Sequence, residues 1–188
     1  MNTNVFNYVV LLVIYLSVAQ IARAENIIFN NENYILKHSK FSEINKGYEN
    51  EYFLEKSQKN NRTKFIEVYY YPEIKNPVKF AQNADKEIEM KSDVILLKLI
   101  ANKKQNKAIL SFIDTVEQDG KTYFEHNIYK YEPYKQKGMI IVRYAGRVLV
   151  SDEKEAQKFA QEVKKINDDL IEQLIISPIP NLVEEEIG

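Results

Sequence analysis

The sequence predicts an α+β fold: an antiparallel β-sheet of about six or seven strands, with one mid-chain helix and a long C-terminal helix packed on it. Three observations carry this reading. Short runs rich in β-branched and aromatic residues recur between polar turn clusters. Two segments instead repeat apolar residues at intervals of three and four, the mark of a helix face. The order is strands, a helix, four further strands and a long helix, which is the order of an antiparallel sheet with helices laid on it.

Two strands, Asn26–Phe29 and Tyr34–Lys40, open the folded part, with the turn signal "NNEN" between them. A strand over Tyr48–Leu54 follows Gly47. "KSQKNNRTK" is polar and turn-like, and "KFIEVYYY" (Lys64–Tyr71) is a strand that Pro72 ends. In "NPVKFAQNADKEIEMK", Asn76 suits the N-cap and Pro77 the first helical position. Val78, Ala81, Ala84 and Ile88 then make one helix face.

"DVILLKLIA" is almost continuously apolar, which predicts a central strand covered on both faces. "KAILSFIDTVE" pairs with it across a polar turn, and "QDG" (Gln118–Gly120) makes the next turn. Strands Thr122–Tyr131 and Met139–Leu149 follow. Ser151-Asp152 caps the last helix, with Asp152 and Glu155 at capping-box spacing. Its apolar stripe runs through Ala156, Phe159, Ala160, Val163, Ile166, Leu170 and Leu174 to about Ile175. Pro178 and Pro180 stop it and leave an extended acidic tail (177–188). In element order alone the chain resembles PsbP/Mog1-like domains. No residue motif carries that likeness, and no function is transferred from it.

Residues 1–24 are expected to be a signal peptide. Val9–Val18 is an apolar core of h-region length, and Ala22-Arg23-Ala24 offers small residues at both cleavage-determining positions. No Lys or Arg precedes Val9. An uncleaved anchor is the alternative, but Asn7 and Gln20 interrupt a segment already short for a membrane span. Residues 25–188 are then one domain, with no linker and no repeat. The Asn-, Lys- and Ile-rich composition is of a bacterial kind, so the expected location is periplasmic or secreted.

The chain has 188 residues, a formal net charge of −1 and no Cys. It therefore lacks a basic field for nucleic acid, disulfides, a thiolate metal site and a Cys nucleophile. His38 and His126 lie on different strands, and His126 shares an apolar face with Phe124 and Ile128, as a core histidine does. No H-E-x-x-H, G-x-S-x-G or phosphate-cradling glycine loop appears. Neither a metal nor a cofactor is expected. Asp168-Asp169 and Glu184–Glu186 read as solvated charge. "NRT" (Asn61-Arg62-Thr63) is a glycosylation sequon that matters only where a glycosylating pathway meets the chain.

The last hairpin carries the functional signal. Alternation puts Tyr123, Glu125, Asn127, Tyr129 and Tyr131 on one face of their strand, and Met139, Ile141, Arg143, Ala145 and Arg147 on one face of the next. With Tyr131 opposite Ile141, Tyr129 meets Arg143, Glu125 meets Arg147 and Ile128 meets Tyr144. Apolar then faces apolar on one side and Glu faces Arg on the other; a one-residue slip would mix the faces. Lys64–Tyr71 repeats the theme with Glu67, Tyr69 and Tyr71. Tyr with Arg is the composition of contact hot spots. It is also the composition of the wet side of an ordinary antiparallel sheet, and the sequence leaves open whether the 76–91 helix covers this face or leaves it exposed.

The expectation is a non-enzymatic binding module of the cell envelope. Its contact residues are Tyr69, Tyr71, Tyr129, Tyr131, Arg143 and Arg147, its partner a protein or envelope component. One alternative is an envelope hydrolase using Glu67 or Glu125; another is a signal-anchored structural protein. Mass spectrometry of the protein from its native cells should find a chain beginning at Glu25. Retention of residues 1–24 would identify the anchored form instead.

Overall fold

The structure, a computed structural model, describes residues 26–56, 63–135 and 138–188. Ala22 and Ala24, the residues expected to direct cleavage, and Asn61 of the sequon lie outside the described residues. The elements are β1 (Asn26–Phe29), β2 (Glu32–Ser42), β3 (Gly47–Leu54), β4 (Lys64–Tyr71), α1 (Pro77–Glu89), β5 (Ile95–Asn102), β6 (Lys107–Gln118), β7 (Lys121–Pro133), β8 (Met139–Leu149) and α2 (Glu153–Ile176). All eight strands form one antiparallel sheet in the order β1-β2-β3-β4-β8-β7-β6-β5. The architecture is the expected α+β one, with slightly more strands than the six or seven anticipated.

Turn chemistry sets the hairpins. Asn30 and Asn31 between β1 and β2, and Asp119 and Gly120 between β6 and β7, all have φ between 50° and 69°. Two positive-φ residues in a two-residue loop match the right-handed twist of the flanking strands, and Asn, Asp and Gly tolerate that region best. The β7–β8 register is the one the alternation predicts: Tyr131↔Ile141, Tyr129↔Arg143, Ile128↔Tyr144 and Glu125↔Arg147.

One expectation is corrected. β5 is an edge strand, not a central one. Its apolar run has another cause. A bulge between Leu96 and Lys98 changes parity along the strand. Leu96 and Leu99 then pack toward the α1 cluster, while Ile100 packs toward the opposite cluster.

Each sheet face has its own cover. α1 starts as expected: the Asn76 side chain accepts from Lys79 N at 3.0 Å, and Pro77 opens the helix. Val78 and Ala81 are buried against Ala108, Leu110, Tyr131, Met139 and Ile141. α2 is capped by Asp152, which accepts from Glu155 N at 2.8 Å, while Glu155 reaches back to Ser151 N at 2.9 Å. It buries Leu170, Ile171 and Leu174 on the other face, among Ile109, Ile128, Ile140 and Val142. Full burial of such side chains contributes about 1.5–3 kcal/mol each. At its C-terminus the buried Lys130 donates to Ile175 O at 3.2 Å and Ser177 O at 2.8 Å, satisfying terminal carbonyls with a cation where the helix dipole favours one.

The expected stripe on α2 errs at one position. Ile166 is 49% exposed, and the neighbouring Asn167 faces the sheet, 5% exposed. Asn167 Oδ1 accepts from Ser111 Oγ at 2.5 Å and lies 2.9 Å from His126 Nε2. An amide oxygen only accepts, so Nε2 carries the imidazole proton. His126 is the core histidine the sequence implies, and it fixes how α2 seats.

Burial lowers the His126 pKa, with the Asn167 hydrogen bond acting the other way. The fold therefore prefers the neutral ring, while the unfolded chain takes a proton below about pH 6.5. Stability from this site is complete above that pH and is lost as pH falls through it. Urea unfolding should show a midpoint that drops between about pH 7.5 and about pH 5.5. The drop should flatten in His126→Gln and persist in His38→Gln; equal slopes in all three proteins would remove His126 from the explanation.

Candidate functional site

On the α1 face, lateral rows of side chains cross the middle of the sheet. Glu67 of β4 opposes Arg143 of β8, which opposes Tyr129 of β7. Phe65 opposes Ala145, which opposes Asn127. Arg143 is the hub. Its Nε donates to Asn127 Oδ1 at 2.9 Å, and its terminal nitrogens donate to Glu67 and Glu125. Its Cζ lies 5.2 Å from the Phe65 ring centroid and 5.5 Å from that of Tyr129. The Tyr69 hydroxyl donates to the same Glu67 oxygen that Arg143 uses.

Arg147 lies beside this hub. Its Cζ is 5.0 Å from the Tyr123 centroid and 5.6 Å from that of Phe65. It donates to Gln118 at 2.8 Å and stands 4.0 Å from Glu125. Two arginines thus balance two glutamates in a largely desolvated patch, the condition under which buried charge is tolerated. Burial works against the Arg143 charge, but Tyr129, Glu67 and Glu125 outweigh it and raise its pKa. Burial, then Glu67, raises the Tyr69 pKa, and burial pushes Tyr129 up to about 12 against the pull of Arg143. Both phenols stay protonated.

Next to this patch is a groove of about 430 Å³ between α1 and the sheet. Tyr69, Tyr71, Phe112, Tyr129, Tyr131 and Ile141 line it from the sheet; Phe80, Ala84, Glu87, Ile88 and Lys91 line it from α1 and its end. Asp114 stands at its margin. The rings are ordered against one another. Phe112 and Tyr129 stack at 5.7 Å with 9° between planes, and Tyr129 and Tyr131 at 6.0 Å with 18°. Phe80 reaches down from α1 to both Tyr71, at 5.6 Å, and Tyr131, at 6.1 Å.

The six residues expected to form one sheet-face contact surface therefore divide. Tyr69, Tyr71 and Tyr129 are half-buried and line the groove. Tyr131 also borders it, but at 3% exposure it belongs to the core beneath α1. Arg143 and Arg147 lie outside the groove and are held by ion pairs and rings. Sequence reasoning missed Phe112 and Phe80. Alternation in "KAILSFIDTVE" places Phe112 on the face of Leu110 and Asp114, a usable signal. Phe80 stands four and eight residues before Ala84 and Ile88, which puts it on their side of the helix, but nothing local shows that it meets two tyrosines. Among the described residues, no group of three or more His, Cys, Asp or Glu is placed to hold a metal ion.

A protein-family model matches residues 21–179, so the chain belongs to that family; the match carries no statement of activity. Comparison with curated proteins finds no match.

Arg143→Met should destabilise the fold by about 3–5 kcal/mol, because it strands two desolvated carboxylates. Adding Glu67→Gln and Glu125→Gln should recover much of that loss. Denaturant unfolding of the single and triple variants checks this, and a single variant as stable as the parent would show that the pairs contribute nothing.

Proposed function

We propose that the protein is an exported, non-enzymatic binding module of the cell envelope that takes its partner in the aromatic groove beside α1. The observation that carries this is the groove itself: a concave site walled by ordered rings, with a charged margin at Glu87, Lys91 and Asp114. Stacked Tyr and Phe offer large contact area with little conformational entropy left to lose. The Arg143 cluster supports the same reading. It holds Tyr69 through Glu67 and packs against Tyr129, so the walls are in place before a ligand arrives.

Glu67 and Glu125, the candidate acids of the hydrolase alternative, spend oxygens on Arg143, and Glu67 also accepts from Tyr69. Carboxylates so engaged serve as scaffolding more readily than as general acid and base, which favours binding over catalysis. The partner expected is a protein or envelope component that presents an apolar or aromatic group to the rings and polar groups to the margin. Export is the part of the proposal that rests on Val9–Val18 and the Ala22-Arg23-Ala24 site alone.

Ala84 offers a test that leaves the charge cluster intact. It is half-buried on the α1 wall, so Ala84→Trp should fill the groove without emptying the core. Crosslinking in native cells, followed by mass spectrometry, should recover a partner with the parent protein and at least about ten-fold less of it with Ala84→Trp. Undiminished capture by a folded Ala84→Trp protein would rule out this groove as the contact site.

A further inference from the structure

The opposite face of the sheet is covered in two pieces. α2 covers one part, and the segment after it covers the part over β2 and β3. Ile179, Leu182 and Val183 pack on the cluster that includes Phe29, Tyr34, Leu36 and Tyr52. This segment is the extended acidic tail of the sequence, and it is held against the sheet. It is gripped by its main chain.

Asn50 of β3 is fully buried, and its amide makes a two-sided bond to one residue: Val183 N donates to Asn50 Oδ1 at 2.8 Å, and Asn50 Nδ2 donates to Val183 O at 3.0 Å. Ser39 of β2, its cross-strand neighbour, is 2% exposed, and its Oγ donates to the same carbonyl at 3.0 Å. Asn50 Nδ2 also donates to Ser39 Oγ at 2.8 Å, which fixes both side chains. A β2 bulge between Leu36 and His38 places Ser39 on this face.

Further along, Ser39 N donates to Ile187 O at 3.0 Å and Ile187 N donates to Ser39 O at 2.8 Å, an antiparallel bridge. β1 pairs with β2 only as far as Ile35, so Ile187 occupies an edge that β1 leaves open. Buried side chains that read a main chain, combined with an open strand edge, make a strand-addition site for an extended peptide. Charge adds direction: Lys135 pairs with Glu184 of the tail at 2.7 Å. Ser39 and Asn50 lie within the family-matched range, while the gripped residues lie past its end.

We infer that the channel over β2 and β3 is a binding site for an extended acidic peptide segment of a partner protein, and that residues 178–188 are its internal occupant. A partner segment with two adjacent apolar residues followed by acids displaces the tail and takes its main-chain bonds. The channel lies on the opposite face from the aromatic groove, so the two sites succeed or fail separately.

The first test uses the native full chain and the synthetic peptide PIPNLVEEEIG. A tethered segment competes at an effective concentration in the millimolar range, so the peptide is supplied at millimolar excess. Hydrogen exchange at the Val183 and Ile187 amides of the protein should speed up by at least about ten-fold, because the displaced tail loses its protection. The same peptide N-methylated at the position of Val183 should have no such effect. Unchanged protection, or equal action by the methylated peptide, overturns the inference.

A second test uses Val183→Asp in the full chain, which loosens the tail and leaves the channel residues in place. Labelled peptide should bind this protein at least about ten-fold more tightly than the parent, and the gain should vanish when Asn50→Ala is added. No saturable binding to a folded Val183→Asp protein also overturns it. If that variant does not fold, the exchange measurement on the native chain decides.

Discussion

The β4–β8 ladder is the constraint on which the rest of this molecule depends. Among the described residues, β4 and β8 are the one strand pair that joins β1–β4 to β5–β8, through pairs running from Lys64↔Gly146 to Tyr71↔Met139. Strands 4 and 8 are far apart in sequence, so this pairing must overcome a large loop-closure entropy. Its register places Glu67 opposite Arg143, with Arg143 in reach of Glu125 and Asn127 on β7. A slip by one residue would put the guanidinium on the apolar α2 face and leave both carboxylates without it. The charged row contributes little net energy once desolvation is counted, but it makes wrong registers costly.

That register then determines what each face can do. On one side it builds an aromatic floor that α1 only partly covers. The rings nearest α1 enter the core, and those farther away form the groove wall. On the other side it builds an apolar floor too wide for a single helix. α2 takes the part over β6, β7 and β8, seated by Asn167 on Ser111 and His126 and closed at its end by Lys130. The remainder needs another cover, and the segment after Pro178 supplies it. Buried polar groups mark both seating points, as they do where uniqueness of docking matters more than raw stability.

The two faces therefore differ in kind. The groove is open and holds its walls ready with internal contacts. The channel is filled by the chain itself, and its polar groups are satisfied by that filling. If the tail left and nothing replaced it, Asn50 and Ser39 would keep their bond to each other but lose those to Val183, at a net cost of about 0.5–1.5 kcal/mol for each lost hydrogen bond. Exchange of one occupant for another avoids that penalty, whereas simple opening does not.

Much of this was legible in the residues. The strand runs, the Asn-Asn and Asp-Gly turns, the caps at Asn76 and Asp152 and the β7–β8 register all follow from local chemistry and period-two alternation. Such signals act over a few residues, so one sequence contains them whole. What the sequence could not decide is what lies against what. Alternation put Tyr129, Tyr131, Arg143 and Arg147 on one face. Only the position of α1 separated a core tyrosine from groove tyrosines, and only the β4–β8 pairing brought Glu67 to Arg143. The edge position of β5, the inward turn of Asn167 in place of Ile166, and the grip of Asn50 on Val183 escape a sequence reading for the same reason. Each depends on which of several chemically suitable neighbours the chain brings into contact across long separations, and that choice is made by packing the whole sheet at once.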